Sequence, residues 1–188
     1  MVNERPAIAK VLIAGSSGVG KTSLVHSYVF DGFADVAPTI GVNFAQKLWN
    51  GENGSINLSI WDLSGNPRFR CLMPRFCTGA AGLILMFDLT DTESLETARK
   101  WLRYISSWNA LNHEYSVVLV GNKADLPPLI QPETIHMICN KESINEYIQC
   151  SAKTGKNVKL VFDTLCSLMQ RIHLELKEQP PYLTKRST

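Results

Sequence analysis

Very little in this chain would staple it together or hold a soft metal. The five cysteines (Cys71, Cys77, Cys139, Cys150 and Cys166) are scattered, odd in number and without a C-x-x-C pair. That pattern argues against a disulfide framework and reads as reduced, buried thiols in a cytosolic protein. The four histidines do not cluster, so a zinc site has no support. Long hydrophobic runs are missing as well; the longest, "AAGLILMF", is too short to span a bilayer. The N-terminus carries no apolar signal core, and Val2 stands where N-myristoylation needs a glycine. No prenylation box closes the chain, since Cys166 is its last cysteine, and no direct lipid anchor is expected. Excess charge of one sign is also lacking. The 19 Lys and Arg against 17 Asp and Glu leave a net charge of +2, too small to argue for nucleic acid or an anionic surface.

What is present is an alternation. The 188 residues, 45% hydrophobic and 19% charged, suit one globular domain with a real core. "KVLIAG" reads as a buried strand and "KTSLVHSYVF" as the helix after it. "GVNFAQKLW" and "SINLSIW" are extended runs joined by "NGENG", a hairpin signal. "AGLILMFDLT" is a buried strand. "TESLETARKWLRYISSW" shows helical spacing at Leu95, Ala98, Leu102 and Ile105, with Thr92–Leu95 supplying groups for a cap. Further along, "SVVLVGNKADL" is strand then loop, "PETIHMICNKESI" a short helix, "EYIQCSAKTG" strand and loop, and "KNVKLVFDTLCSLMQRIHLEL" a closing helix. The order predicts an α/β fold, a mostly parallel six-stranded sheet with one antiparallel edge strand and helices on both faces. In such sheets ligands bind outside the carboxyl ends of the strands.

The chemical motifs fall at those ends. "GSSGVGKT", Gly15 to Thr22, matches G-x-x-x-x-G-K-[ST] between a strand and a helix. Its glycines let successive N–H groups face a phosphate, Lys21 can reach the outer phosphates, and the Thr22 hydroxyl can ligate Mg²⁺. Asp62-x-x-Gly65 follows the hairpin. Asp62 can hold Mg²⁺, directly or through water, and Gly65 leaves an N–H free for a terminal phosphate. In "NKAD", Asn122 to Asp125, the Asp125 carboxylate can accept from guanine N1–H and the exocyclic amine, a donor pair adenine lacks. "SAK", Ser151 to Lys153, offers a backbone N–H to the guanine carbonyl.

With these motifs and "PTIG" in order, the chain resembles a Ras-superfamily small GTPase from about Ala9 to Leu176. "IWDLSGNPRFR" and "GVNF" look closest to the Rab-like branch and its neighbours. The resemblance implies a P-loop NTPase G domain over residues 9–176, an N-terminal extension over 1–8 and a short tail over 177–188. It implies GTP/GDP and Mg²⁺ as ligands, with Thr22, Thr39 and Asp62 at the metal and Thr39 sensing the γ-phosphate. Nucleotide contacts are implied for Gly15, Ser16, Ser17, Gly18, Val19, Gly20, Lys21, Thr22, Ser23, Phe33, Pro38, Thr39, Asp62, Gly65, Asn122, Lys123, Asp125, Leu126, Ser151, Ala152 and Lys153. Lys21, Thr39, Gly65 and Asn66 are implied at the reacting phosphate. Phe33 matches the aromatic that packs on the guanine edge, or is a core phenylalanine.

The resemblance further implies a cytoplasmic, monomeric switch. It would reach effectors, exchange factors and activating proteins through switch I and switch II, reach membranes through partners, and have no use for nucleic acid.

Departures from the family's pattern centre on switch II. The water-orienting glutamine is Asn66 here, followed by Pro67. Two roles are open to it: holding water, or capping the switch II helix ahead of a first-turn proline. Ser17 takes a position that is glycine in Ras, and "DVAPTIG" lacks the tyrosine that often closes over the phosphates. Slow GTP hydrolysis is expected, with a hydrolysis-deficient GTP-binding scaffold as the rival and an ATP-dependent P-loop enzyme disfavoured by Asp125. Arg68 and Arg70 fit a solvated surface or a partner contact; Trp49 and Trp61 fit effector binding or cover for the sheet edge.

Overall fold

The computed structural model describes residues 6–108 and 111–178, with the side chains of 111–114 and 173–178 left aside. The first part of the expected N-terminal extension and nearly all of the tail lie outside the described residues. Six strands, β1 (Ala7–Gly15), β2 (Val42–Gly51), β3 (Gly54–Leu63), β4 (Ala80–Asp88), β5 (Leu111–Asn122) and β6 (Glu146–Gln149), form one sheet in the order β2-β3-β1-β4-β5-β6. Only β2 runs antiparallel, paired with β3 from Val42↔Leu63 to Gly51↔Gly54. Between the strands lie α1 (Lys21–Phe30), a 3-10 helix (Pro67–Leu72), α2 (Met73–Cys77), α3 (Thr92–Ser107) and α4 (Pro132–Lys141); α5 (Val158–Glu178) closes the chain.

The central strands β1 and β4 are apolar on both faces because both faces are covered. Val11 and Ile13 point into one core with Leu24, Val161, Phe162 and Leu165 from α1 and α5. Leu12 and Ala14 point into the other, with Leu95, Trp101 and Ile105 of α3 and Ile135 of α4. Each large aliphatic side chain so buried contributes about 1.5–3 kcal/mol. Among the described residues no helix is long and apolar enough to cross a membrane.

Register brings the strand ends into line. Ile13 pairs with Asp62, Gly15 with Met86, Asp88 with Asn122, and Gly121 with Gln149. Four motif-bearing loops therefore leave the same edge of the sheet.

Several boundaries differ from the expected ones. β5 begins at Leu111, ahead of the apolar run, where pairing with Ala80 extends backbone that side-chain pattern does not mark. α3 starts at Thr92 as expected, but its cap is Asp91, whose carboxylate accepts from Glu93 N at 3.0 Å, rather than a group within Thr92–Leu95. Ser94 turns instead to the end of β4, accepting from Asp88 N at 2.9 Å. α4 stops at Lys141 because Ser143 adopts a left-handed φ of 52°, and α5 starts only after Asn157, at φ 58°.

Candidate functional site

The phosphate end is built by glycine geometry. A Cβ on Gly15 would lie 2.2 Å from the Met86 carbonyl oxygen, so β1 can leave the sheet here only as glycine. Gly20, at φ 93°, caps α1 with no side-chain acceptor, and the first turn carries no acid. The first-turn N–H groups of α1 thus face the loop mouth without an internal carboxylate, the arrangement that suits an anion. Lys21 folds back over the loop, 6% exposed, and donates to the Ser16 carbonyl at 2.8 Å. Burial pushes its ammonium down to about 8, while the Asp62 carboxylate pulls the other way.

Three oxygens from three elements converge beside it. The Thr22 hydroxyl donates to Asp62 Oδ2 at 2.6 Å and lies 2.8 Å from the Thr39 hydroxyl, which approaches the same Oδ2 at 3.3 Å. Asp62 is 1% exposed, and its Oδ1 is buried with no hydrogen-bond partner. Burial raises its pKa; Thr22, Lys21, Thr39 and Asn43 oppose the rise. A buried carboxylate oxygen left over beside two hydroxyls is a hard-oxygen set that fits Mg²⁺, which takes few protein ligands and keeps several waters.

Two side chains that the motifs did not single out join these loops. Ser64, 2% exposed, donates to the Thr39 carbonyl at 2.8 Å and accepts from Asn66 N at 3.3 Å. Asn43 on β2 donates to the Thr39 hydroxyl at 3.4 Å. Ser64 occupies a variable place in Asp62-x-x-Gly65, where only a small polar residue about to be buried hints at a role.

P-loop and switches enclose a cleft of about 330 Å³ whose walls include Ser17, Gly18, Gly20, Lys21, Thr22, Ser23, Pro38, Thr39, Ser64 and Asn66. Gly65 lies against the P-loop backbone, where an added Cβ would fall 2.3 Å from Ser17 N. Larger cavities of about 610 and 510 Å³ open beside Trp49, Lys159 and Asp163, away from these groups.

At Asn66 the backbone is extended (φ −75°, ψ 124°), as a residue before proline prefers. Its Oδ1 accepts from Arg68 N at 3.0 Å, capping the 3-10 helix that Pro67 opens. Arg70 reaches α3, 3.3 Å from the Tyr104 hydroxyl and 4.6 Å from that ring's centre. Arg68 is exposed.

The base end is held by Asn122, 3% exposed. Its amide donates to the Val19 carbonyl at 2.8 Å and accepts from Ala152 N at 3.0 Å, tying the P-loop to the last loop. Ser151, fully buried, donates from its hydroxyl to Asp125 Oδ1 at 2.6 Å, and its N–H goes to the Lys156 carbonyl. That Ser151 bond, before smaller influences, holds the Asp125 carboxyl below its usual range. Val19 and Ala152 are buried, Lys153 and Leu126 are exposed, and Lys123 is half-buried. Phe33 is 49% exposed, so the core-phenylalanine reading is corrected: the start of switch I leads it away from both cores. The edge-cover reading of Trp49 is the one the packing bears out, since it is 8% exposed with its indole N–H on Asp163 at 2.8 Å. Trp61 is half-buried and sits between Phe44 and Phe76, with ring centres at 5.6 and 6.1 Å.

The family model described as Ras family matches residues 10–171 of this chain. The chain belongs to the Ras family. It is 36% identical over 177 residues to the human Ras-related protein Rab-27B, covering 87% of this chain and 80% of that one. Ras-related protein Rab-5B of Plasmodium falciparum is 33% identical over 94% of this chain and 83% of its own length. Ras-related protein RABC2b of Arabidopsis thaliana is 34% identical over 92% and 88% respectively. As a Ras family member of Rab-like type, the chain is a GTP-binding switch GTPase that takes GTP and GDP with Mg²⁺ and works with effectors, exchange factors and activating proteins.

Proposed function

We propose that this chain is a slowly hydrolysing GTP/GDP switch, because its Asn66 amide is committed to the switch II turn. The observation that carries the reading is the 3.0 Å bond from Arg68 N to Asn66 Oδ1. The amide that would orient an attacking water is used as a cap. Asparagine is also one methylene shorter than glutamine, roughly 1.5 Å less reach, and a misplacement of about 1 Å can cost on the order of 10²-fold.

In this reading the P-loop from Gly15 to Ser23 cradles the phosphates, with Lys21 on the outer ones. Thr22, Thr39 and Asp62 hold Mg²⁺, which neutralises charge on the phosphate oxygens. Thr39 and Gly65 report the γ-phosphate to the two switches. Asp125 reads guanine, helped by the loop from Ser151 to Lys153, while Phe33 flanks the base. An external arginine, worth roughly 10³–10⁵ in rate where it is used, would come from an activating partner. Partners dock on the switches and on Phe44, Trp61 and Phe76, which lie together beside them. The chain acts as a cytoplasmic monomer and meets membranes through partners.

The test pairs Asn66→Ala with Asn66→Gln, read by single-turnover hydrolysis and thermal unfolding. Under capping, alanine costs about 1 kcal/mol of stability and leaves hydrolysis nearly unchanged. Slower hydrolysis in Asn66→Ala, or fast wild-type turnover without a partner, refutes the reading. A hydrolysis-deficient scaffold is the second reading, favoured by the same cap; absence of turnover even with an activator would select it.

A further inference from the structure

The loop from Asn122 to Asp125 turns through Lys123, whose φ of 65° lies in the left-handed region. A residue with a Cβ persists there only where its surroundings over-determine it. Leu126 N on the Lys123 carbonyl at 2.9 Å and Ala124 N on the Cys150 carbonyl at 3.0 Å fix the turn's backbone, and its side chain is held by Asp88, the last residue of β4 and the register partner of Asn122. Asp88 is 6% exposed. Its Oδ1 accepts from Thr90 N at 2.8 Å and from the Thr90 hydroxyl at 2.7 Å, while Oδ2 pairs with Lys123 Nζ at 2.5 Å. Its own N–H donates to Ser94 Oγ at 2.9 Å. Burial alone would raise its carboxyl; Lys123 and Thr90 outweigh that and hold it below the usual range. The acid is thus fixed by its own strand end and presents one oxygen to the neighbouring loop.

We infer that Asp88 is a positioning residue for nucleotide retention, holding the Lys123 side chain and the left-handed turn beneath it so that the Asn122–Asp125 loop grips the base. The inference rests on the proposed assignment of that loop to guanine. Asp88 touches no ligand itself; it acts through Lys123. A purely structural role, closing the turn between β4 and α3 with the carboxylate on Thr90 and the Asp88 backbone on Ser94, needs no charge facing Lys123.

The experiment measures release of a fluorescent GDP analogue from the full chain, with Mg²⁺ present. Asp88→Asn keeps an oxygen for Thr90 but replaces the charge facing Lys123. Loss of one charge-assisted hydrogen bond should speed release about tenfold; some loss of unfolding temperature accompanies it, since the depressed Asp88 carboxyl also contributes stability, so a second background separates the two. In a Lys123→Ala background the same change should add nothing. Should Asp88→Asn fail to fold, Asp88→Ser removes the charge facing Lys123 and should speed release to a similar degree. Wild-type release rates in Asp88→Asn or Asp88→Ser, or an Asp88 effect undiminished in Lys123→Ala, overturn the inference while leaving the base loop in place. A wild-type protein that retains ADP as well as GDP overturns both.

Discussion

Asp125 and Asn66 stand at opposite ends of the site, and each gives part of its side chain to the protein. For Asp125 the gift is one oxygen to Ser151 at 2.6 Å, which aims the carboxylate and keeps it ionised. Asp125→Asn should therefore weaken GTP by about 1–3 kcal/mol, because an amide donor then faces guanine's donors. Xanthosine triphosphate, with a carbonyl where guanine has its amine, should lose less or gain. Competition binding with the two nucleotides checks this, and unchanged GTP affinity would refute the role. Asn66 gives its oxygen to Arg68 N, the bond on which the proposed slow hydrolysis rests. Gly65 is constrained differently: its contact with Ser16 and Ser17 leaves no room for a Cβ. Ser64 is the quiet member of the group, joining switch I to switch II through one hydroxyl.

Among the elements, switch II is tied at both ends. Asn66 caps its 3-10 helix, and Arg70 packs on Tyr104 and Trp101 of α3. Helix α3 is in turn joined to the end of α4 by Glu142. That carboxylate accepts from Arg99 Nη2 at 2.8 Å and Arg103 Nη2 at 3.0 Å. Burial would raise the Glu142 carboxyl, but the two arginines outweigh it and hold it below its ordinary value of 4.5. A depressed carboxyl contributes stability above its unfolded pKa and loses that contribution as pH falls through the folded one. Wild-type stability should therefore drop below about pH 4.5 partly through this joint. Glu142→Gln should be less stable at neutral pH and lose less on acidification. Denaturant unfolding at pH 7 and pH 4 measures both, and an unchanged acid slope would count against the joint.

At the scale of the whole molecule, the proposed nucleotide site spans loops from β1, β3, β5 and β6, so nucleotide binding should stabilise the entire domain. A ligand at 100 times its Kd adds about 2.7 kcal/mol, and a domain of this size gains roughly 2–4 °C per kcal/mol. GDP with Mg²⁺ should raise the unfolding temperature by about 5–10 °C. Excess ATP should not, and EDTA should remove much of the GDP effect by exposing Asp62 beside the phosphates. Thermal unfolding in the three conditions is the check; equal stabilisation by ATP would defeat the guanine assignment.

The sequence by itself determined the order of elements, the sheet class and the motif-bearing loops. Buried parallel strands must be apolar throughout, and phosphate loops need glycine at set places. Gly15, Lys21, Thr22, Asp62 and Asp125 stand out as candidates for that reason: the pattern that marks them is written in adjacent residues. Asn66 was legible only as a choice between two roles, since a cap and a water holder need the same amide, and the bond to Arg68 N was needed to see which one is made. Trp49 and Phe33 each fitted two readings until packing separated them into buried and exposed, while Arg70 packs on α3, a place neither of its two readings named. Asp88, Ser64 and the full use of the Asn122 amide were not visible at all. Lys123, Thr39, Val19 and Ala152, which they reach, lie on loops distant in sequence and are brought within hydrogen-bond reach by the fold, and no local pattern encodes a distance between loops.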